Sequence, residues 1–492
     1  MKRRQAMKRT KAIFMSLALV LSFTAFGSAA EKAEEAPDQV LFINVHVWDG
    51  TSDERTDTIN VLVEDNLIKK VGAAESDAHK SALVIDGEGK TLMPGLIEMH
   101  VHYSTFLPLA ESRDGLHPYA HGALAILRAK EFLMNGYTTT RDAGGASKYL
   151  KDILDSGVAP GPRIYPSENW ITTTSGHGDF RELNEPHPAI NGSDRFYDNF
   201  VSIIADGEDE TTRAVRETFR RGATQIKLFT SGGVTSQFDP LHSGPNPEEI
   251  RAAVKVATMW DTYVLTHSFS EKAIKLAIDN GVRSIEHAPF ITDEIAQMMI
   301  EKDVYLATSV GPVFEVSEEV AKTIYNPDSF KKWKTVRDAA KNAMEVFKRN
   351  PKLKIMLGSD LLGHWRDMKA VDDQMNLDFK HFGDYLGALK TLRMATSVAA
   401  EANLMTGKMN PYTEGALGVV ADGAYADLLL VDGNPLKDIL LLTDPDKNLK
   451  IIMKDGLIYK NSLLYEMFTP KMHKKIKKTV PHMYGDYNSL PD

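Results

Sequence analysis

The sequence predicts an α/β protein in which a (β/α)8 TIM barrel carries a small β-sandwich domain formed from N-terminal and C-terminal segments. Eight short apolar runs between residues 95 and 360 alternate with helical stretches, as repeated βα units do when they close into a parallel barrel. Turn-rich, strand-like sequence lies on both sides of this region. Hydrophobic residues make up 43% of the 492 residues and charged residues 25%, which is the balance of a globular enzyme.

The first thirty residues have the pattern of an export signal. A basic start is followed by an apolar run over residues 12–26 and by small residues at 27–30. The run is too short for a typical membrane span, and the alternative interpretation is an uncleaved anchor. We expect residues 1–30 to be a signal peptide and the protein to be exported, either periplasmic or secreted. No stable membrane span is expected after the signal is removed.

Charge and cysteine content exclude several classes of site and partner. Removal of the signal takes away six Lys or Arg residues and no acidic residue, so the formal net charge changes from -9 to -15. This acidic balance predicts that the protein has no nucleic-acid partner. The sequence has no cysteine, which excludes disulfides, thiolate metal sites and cysteine nucleophiles. Any metal ion must therefore be held by nitrogen and oxygen atoms.

The segments outside the barrel predict one domain built from both ends of the chain. Residues 38–92 form strand-like runs separated by turn pairs such as Asp49-Gly50, and we assign them to the first part of the β-sandwich. Residues 409–465 return to short strands with turn chemistry and form the second part, which we expect to pair with the first. The barrel occupies residues 93–408. Residues 466–492 are polar and lysine-rich, which is typical of a surface tail or an oligomer contact.

Within the barrel, apolar runs mark the strands and capping patterns mark the helices. Asn246, Pro247 and Glu249 form a helix start, Ser270 begins a second helix, and Gly281 ends it. Long insertions at 170–201 and 311–337 follow the third and seventh strands, and we expect both to cover the pocket. The predicted strands are residues 95–102, 138–143, 163–167, 224–229, 262–267, 284–287, 304–308 and 354–360.

The first barrel strand ends in two histidines, His100 and His102. Alternate side chains of a strand point the same way, so both imidazoles project to one face and together can bind one cation. The alternative is a strand with two hydrogen-bonded histidines. What favours the metal interpretation is the spacing of further candidate ligands along the chain.

Four more candidate ligands stand at the ends of later predicted strands. Each alone has an ordinary explanation: a hydrogen-bonded histidine, a helix cap, or an ion-paired lysine. Because every strand of a parallel barrel ends on the same face, these side chains are expected to meet at one mouth. They are Lys227, His267, His287 and Asp360.

Six motifs are spread along the chain: PGLIEMHVH, GYTTTRDAGG, TSGGV, IEHAPF, LGSD and GALGVVADGAYADLLLVDGNPLKDI. Through these motifs the sequence resembles the amidohydrolase superfamily, in particular its imidazolonepropionase-like branch, and the resemblance covers nearly all of the exported chain. Glu98 stands where an aspartate is more usual, and we expect this departure to change local packing only.

The resemblance implies a site with two divalent metal ions. One would be held by His100, His102 and Asp360, and the second by His267 and His287. Lys227, carboxylated to N6-carboxylysine, would bridge them, because carboxylation turns a cation into an oxygen ligand. Zinc is the expected metal, although manganese, cobalt or iron would suit the same residues.

The chemistry implied is hydrolysis by a metal-bound hydroxide. Two divalent cations lower the pKa of a shared water, and Asp360 would accept its proton and pass it to the leaving nitrogen. His177, in SGHGDF, matches a position from which related enzymes donate a hydrogen bond to the scissile carbonyl oxygen. The alternative for His177 is a solvated loop residue.

The substrate is expected to be a dipeptide or another small molecule. The sequence resembles prolidase-like dipeptidases and carboxypeptidases and ochratoxin-degrading amidases, which cleave an amide whose amine side carries a free carboxylate. Two alternatives remain: hydrolysis of a cyclic amide, lactone or organophosphate ester, and a non-catalytic binding barrel. The resemblance also implies a homo-oligomer. Candidate substrate contacts are His177, Tyr103, His242 and Arg366, with Arg141 and His364 also plausibly placed. The alternative for Tyr103 is a packed aromatic residue.

Overall fold

The computed structural model describes residues 39–193, 195–236, 244–364, 366–367 and 375–463. The predicted signal at 1–30, the tail at 466–492 and His242 lie outside the described residues. All of the described residues belong to one compact unit that begins at Gln39. Among the described helices, none combines the length and apolar character that a bilayer crossing requires.

The described residues contain twenty strands. They are β1 (Gln39–Val47), β2 (Thr58–Glu64), β3 (Leu67–Val71), β4 (Leu83–Asp86), β5 (Thr91–Pro94), β6 (Leu96–Val101), β7 (Phe106–Leu107), β8 (Tyr137–Asp142), β9 (Arg163–Pro166), β10 (Trp170–Thr172), β11 (Ser202–Ile204), β12 (Ile226–Phe229), β13 (Val264–Ser268), β14 (Ser284–His287), β15 (Tyr305–Thr308), β16 (Ile355–Leu357), β17 (Gly363–His364), β18 (Leu428–Val431), β19 (Leu449–Lys454) and β20 (Leu457–Asn461).

The α-helices of the same part of the chain are α1 (Leu109–Asp114), α2 (Pro118–Met134), α3 (Lys148–Asp155), α4 (Pro188–Asn191), α5 (Gly207–Arg221), α6 (Pro247–Met259), α7 (Glu271–Asp279), α8 (Asp293–Glu301), α9 (Gly311–Phe314), α10 (Glu318–Ile324), α11 (Pro327–Arg349), α12 (Leu377–Leu386), α13 (Ala388–Met394), α14 (Ser397–Asn403) and α15 (Pro445–Asn448). Shorter 3₁₀ turns occur at Glu75–Asp77, Leu404–Met409 and Ile439–Thr443, and a π-helical turn at Tyr197–Val201.

Strands from both ends of the chain form one eight-stranded sheet. Its order is β20-β19-β18-β5-β1-β2-β3, and β4 pairs with β1. The central pairing is antiparallel between β18 and β5, with Leu428 opposite Pro94 and Val431 opposite Thr91. The predicted pairing of the two ends is therefore confirmed. The strands belong to a single hydrogen-bonded sheet, so the two-sheet sandwich stays a prediction.

The barrel is built from parallel strands, and all eight predicted ones are present as β6, β8, β9 and β12 to β16. They form one sheet ordered β6-β8-β9 and a second ordered β11-β10-β12-β13-β14-β15-β16. Thr224 N donates to Pro166 O at 2.8 Å across one seam, and Asp360 N donates to His100 O at 3.0 Å across the other. Hydrogen bonds thus close the ring at both junctions.

The first insertion differs in part from the expectation. Residues 170–172 were predicted to begin a loop, but they form β10, which pairs with β12 through Ile171 and Leu228. The apolar stretch around Trp170 continues the third strand because its side chains are buried in the barrel wall. The insertion proper begins after this strand and carries His177.

The helix starts have the predicted caps. The Asn246 side chain accepts the Glu249 N–H at 2.9 Å, and the Glu249 carboxylate accepts the Asn246 N–H at 2.7 Å. Ser270 accepts the Ala273 N–H at the start of α7. Gly281, with φ of +91°, follows the end of that helix. These caps anchor the helices outside β12 and β13, two strands that carry candidate ligands.

Candidate active site

His100, in β6, and His102, directly after this strand, lie side by side. Their ring centroids are 5.2 Å apart, and both side chains are buried. Val101 lies between them in sequence and packs into the apolar core. The predicted common direction of His100 and His102 is therefore confirmed.

Hydrogen bonds fix which nitrogen of each ring faces the site. Nδ1 of His100 lies 2.8 Å from the Glu286 carboxylate, and Nδ1 of His102 lies 2.8 Å from the carbonyl oxygen of Gly144. An ionised carboxylate and a carbonyl can only accept, so Nδ1 carries the proton in both rings. The lone pair is then on Nε2, the atom that faces Asp360, at 3.7 Å from His100 and 3.3 Å from His102.

Asp360 follows β16 and has the left-handed backbone φ of +51°. Its carboxylate lies between the imidazoles, and one oxygen is 4.0 Å from Nε2 of His287. The side chain is 41% exposed, so it borders open space while it contacts the buried histidines. Desolvation alone would raise its pKa, but the polar groups of the cluster around it, His102 first among them, lower the pKa of Asp360 to about 2. The carboxylate is ionised at neutral pH.

Lys227 extends from β12 into the same cluster. It is 1% exposed, and Nζ lies 3.4 Å from Nε2 of His100. Burial lowers its pKa to about 8, although the carboxylates of Glu286 and Asp360 oppose the shift. The uncharged amine is therefore far more populated near neutral pH than that of an ordinary lysine, at about a tenth of the molecules at pH 7.

His267 and His287 stand at the ends of β13 and β14, with ring centroids 4.7 Å apart. Nε2 of His267 donates to the carbonyl oxygen of Gly232 at 2.9 Å, so its lone pair is on Nδ1. His287 has φ of +73°, and its ring lies 4.7 Å from that of His100. Burial lowers the pKa of both, to about 3 for His287, which leaves them as neutral imidazoles.

The donor set fits a divalent cation. Ligand atoms of His100, His102 and Asp360 all lie within 4.8 Å of one another. A cation with bonds of about 2.1 Å needs donors roughly 3.5 to 4 Å apart, which small side-chain movements would supply. Two neutral imidazoles and one ionised carboxylate are donors that zinc and similar metals accept. Lys227, His267 and His287 complete one contiguous group.

His177 comes from the insertion after β10 and packs against this group. Its ring stacks on His267 with a centroid distance of 4.3 Å and an interplanar angle of 25°. Nδ1 is hydrogen-bonded to the hydroxyl of Ser236, and that hydroxyl accepts the Gly233 N–H at 2.7 Å. Burial lowers the pKa of His177 to about 4, so the ring is neutral. His177 is thus partly buried beside the ligands, in contrast to a solvated loop residue.

The second insertion also reaches the site. Lys332, on α11, donates to the carbonyl oxygen of Ser236 at 2.9 Å. The insertion therefore contacts the loop that holds His177. This contact agrees with the expectation that the segment lies over the pocket side of the barrel.

Most predicted substrate contacts lie elsewhere or are outside the described residues. Tyr103 is fully buried, and its hydroxyl is hydrogen-bonded to Thr140 at 3.0 Å, so it is the packed aromatic residue of the alternative interpretation and does not line the pocket. Arg141 is likewise buried, where it pairs with Glu286. Arg366 is exposed and forms an ion pair with Glu111 at 2.7 Å.

His364 and His242 complete the set of predicted contacts. His364 is in β17, which pairs with β7, and its side chain is partly buried. His242 falls in a stretch outside the described residues. The substrate roles of both residues stay predictions.

Three buried polar residues beside the site were missed or misread in the sequence. Glu98 accepts the N–H groups of His100 and Ser359, both at 2.9 Å, so it joins β6 to the segment that carries Asp360. The expectation that it affects only local packing is therefore wrong. Glu286 and Ser236 contact His100 and His177 directly. For Glu98 and Glu286 the available signal was a charged residue inside a buried apolar strand, which must find a partner. Ser236 lies in a loop, and the sequence carried no such signal for it.

Comparison with known proteins places this site in a family context. Residues 91–458 match the model of the amidohydrolase family. The chain is 29% identical to an ochratoxinase of Aspergillus niger over 418 residues, covering 81% of this chain and 82% of that protein. A crystal structure of a prolidase complexed with N-methylphosphonate-L-proline superposes with a TM-score of 0.77 at 31% identity, covering 86% of this chain and 100% of that one. A Xaa-Pro dipeptidase with bound methionine gives 0.71 at 25% identity, with the same coverage.

Proposed function

Because this chain belongs to the amidohydrolase family and is a hydrolase of amide C–N bonds, we propose that it cleaves N-acyl amino acids or dipeptides at a binuclear metal site. The observation that carries the proposal is the convergence of six side chains around one recess, from the ends of four barrel strands (β6, β12, β13 and β14) and from the segment after β16. They are His100, His102, Lys227, His267, His287 and Asp360. The family match supports metal-dependent amide hydrolysis as the reaction class.

We assign the first metal to His100, His102 and Asp360 and the second to His267 and His287, with Lys227 between them. Bound zinc ions would supply Lewis acidity and lower the pKa of a water molecule. Lys227 is suited to carboxylation because its neutral amine can attack carbon dioxide, form the N–C bond of a carbamate and release one proton. The lowered pKa of Lys227, about 8, supports this modification.

Asp360 is the proposed acid–base group. It is ionised, borders open space and lies 3.3 Å from Nε2 of His102 among the proposed ligands, so it can accept a proton from the attacking water. The same carboxyl can then protonate the amine that leaves when the C–N bond breaks. Its left-handed backbone places the carboxylate between the imidazoles.

His177 is the proposed hydrogen-bond donor to the scissile carbonyl oxygen. The Ser236 hydroxyl already accepts the Gly233 N–H, and among the described residues the acceptor for its own proton is Nδ1 of His177. Nδ1 is then an acceptor, which leaves the proton of the neutral ring on Nε2. An Nε2–H donor in a buried position stabilises negative charge on the carbonyl oxygen as the water attacks.

The substrate assignment rests on the relatives. One is an ochratoxinase, one a prolidase complexed with a proline phosphonate, and one a Xaa-Pro dipeptidase. These names support an amide whose amine side is an amino acid with a free carboxylate. We further propose export through residues 1–30, homo-oligomeric assembly, and the division into a barrel at 93–408 and a two-part β domain at 38–92 and 409–465.

The test is a substrate library incubated with metal-replete protein. The library should hold N-acyl amino acids, Xaa-Pro and other dipeptides, ochratoxin A, and a comparison set of cyclic amides, lactones and organophosphate esters. We expect the acyl amino acids or dipeptides to give the highest kcat/KM. Asp360→Asn should lose about two orders of magnitude or more in rate. Higher turnover on the comparison set would refute the substrate class, and near-normal activity of Asp360→Asn would refute its role.

A further inference from the structure

We propose that Glu286 is a positioning residue that fixes the orientation and proton of His100, and that Arg141 holds Glu286 in place. The inference rests on the proposed metal site and deepens it. Glu286, Arg141 and His100 belong to a buried network one layer below the mouth of the barrel. No part of this network is exposed enough to touch a substrate, since Arg141 and Glu286 are each 0% exposed.

The contact between Glu286 and His100 is direct. The carboxylate Oε2 lies 2.8 Å from Nδ1 of His100, and the two residues belong to strands on different sides of the barrel, β14 and β6. Glu286 also directly precedes His287 in the sequence. One short strand thus supplies a candidate ligand and the partner of another ligand.

Arg141 binds the same carboxylate with its guanidinium. Nη2 lies 2.8 Å from Oε1 and 2.7 Å from Oε2 of Glu286, and the Ser284 hydroxyl donates to Oε1 at 2.7 Å. Both carboxylate oxygens therefore accept hydrogen bonds from a fixed cation. This arrangement favours the ionised carboxylate, which has no proton to give to His100.

Arg141 is itself held on three sides. Nε donates to the carbonyl oxygen of Met99 at 2.7 Å, and Nη1 lies 3.1 Å from both the Tyr263 hydroxyl and the Ser284 hydroxyl. Met99 directly precedes His100, so the network fixes the backbone of β6 as well as the imidazole. An isolated ion pair at such depth is costly, whereas a fully hydrogen-bonded one can persist.

The chemical consequence is that His100 is fixed in the one tautomer that can bind the metal. With the Nδ1 proton held by Glu286, the lone pair of His100 is on Nε2, which faces Asp360 and Lys227. A carboxylate behind a metal-binding imidazole fixes its tautomer and makes the ring a better donor. Glu286 is thus expected to contribute to metal affinity without contacting the metal.

The experiment measures metal binding by Glu286→Gln. We expect affinity for the first metal, measured by chelator competition and by metal content, to fall about 10-fold to 100-fold, as for other outer partners of metal-binding histidines. The cobalt-substituted protein should show a changed visible absorption spectrum. Hydrolysis should fall at limiting metal and recover in part at excess metal. Ser284→Ala, which removes only one hydroxyl from the network, should keep affinity within about threefold.

A second variant is needed in case Glu286→Gln, which leaves the charge of Arg141 buried without its carboxylate partner, does not fold. Arg141→Met combined with Glu286→Gln removes both buried charges, so no unpaired charge remains. It should show the same loss of metal affinity in a folded protein, judged by circular dichroism. Wild-type affinity and an unchanged cobalt spectrum in either folded variant would overturn the proposal. That outcome leaves the proposed function intact as long as the wild-type holoenzyme hydrolyses its substrates.

Discussion

A methyl group added at Gly233 tests the role of His177 without removing it. A Cβ atom built on Gly233 would lie 2.6 Å from Cε1, 3.0 Å from Nε2 and 3.1 Å from Nδ1 of His177. Ordinary contact begins at 3.4 Å, so the ring must retreat by the 0.8 Å between that value and 2.6 Å. Gly233 does not have a left-handed φ, so alanine brings steric pressure on the ring and no backbone strain.

His177 has little room in which to retreat. Its ring is stacked on His267 at 4.3 Å and packed against Phe229 at 5.1 Å. A displacement approaching 1 Å at a reacting centre costs up to about 100-fold in rate, and loss of an oxyanion donor costs about 100-fold to 1,000-fold. We therefore expect Gly233→Ala to lower kcat by about 10-fold to 100-fold with a smaller change in KM.

The assay compares kcat and KM of the holoenzyme on its best substrate, with Tm and metal content measured in parallel. His177→Ala sets the largest loss that displacement can cause. Gly122→Ala is the matched control, since its Cβ meets nothing within 4 Å. If Gly233→Ala is folded and metal-loaded and keeps wild-type kcat while His177→Ala is impaired, the steric reasoning is wrong.

Four further predictions follow from the same structure. Gly122→Ala, on the exposed face of α2, should stabilise the protein by about 0.5 to 1 kcal/mol in denaturant unfolding, and a loss of stability would contradict this. Ser236→Ala removes the partner of Nδ1 in His177 and should lower kcat about 10-fold with a smaller change in KM. A rise in KM as large as the fall in kcat would point to a role in substrate binding instead. Burial raises the pKa of Glu168 to about 7 from 4.5, although the Lys148 N–H opposes the shift. Between pH 4.5 and about 7 the folded state therefore binds more protons than the unfolded state, and the free energy of unfolding falls as the pH rises through this range. Glu168→Gln, whose amide oxygen can still accept the same N–H groups, should flatten the Tm-against-pH profile between these values, and an unchanged slope would refute the assignment. Removal of divalent cations by a chelator should abolish hydrolysis and lower Tm, and zinc should restore both; activity that persists at zero metal content would exclude a metal-dependent reaction.

The barrel was predictable from the sequence because its strands are buried on both faces. Such strands appear as short apolar runs, and the runs at 95–102 and 262–267 correspond to β6 and β13 with small shifts at their ends. His100 and His102 were equally predictable, since the extended backbone continues through the end of β6 and places the two residues, one apart, on one side. Pairing of the two chain ends followed from their similar turn-rich pattern, although pattern alone does not fix the strand order.

The sequence could not show how deep in the barrel a side chain lies. Arg141 and Tyr103 stand near strand ends, which suggested the mouth, but the structure buries both below it. Nor could alternation predict His287 and Asp360, because each has a left-handed backbone that turns its side chain toward the cluster. Non-glycine residues rarely adopt this conformation, and sequence patterns carry little trace of it.

The pairing of β5 with β18 has a consequence for the order in which the protein is made. β5 is synthesised before every barrel strand, yet its neighbour at Leu428–Val431 leaves the ribosome only after the whole barrel has been translated. Until then one edge of β5 has no partner, and unpaired strand edges attract other chains. A nascent chain is therefore vulnerable at this edge for most of its translation, and the last strands to emerge protect it.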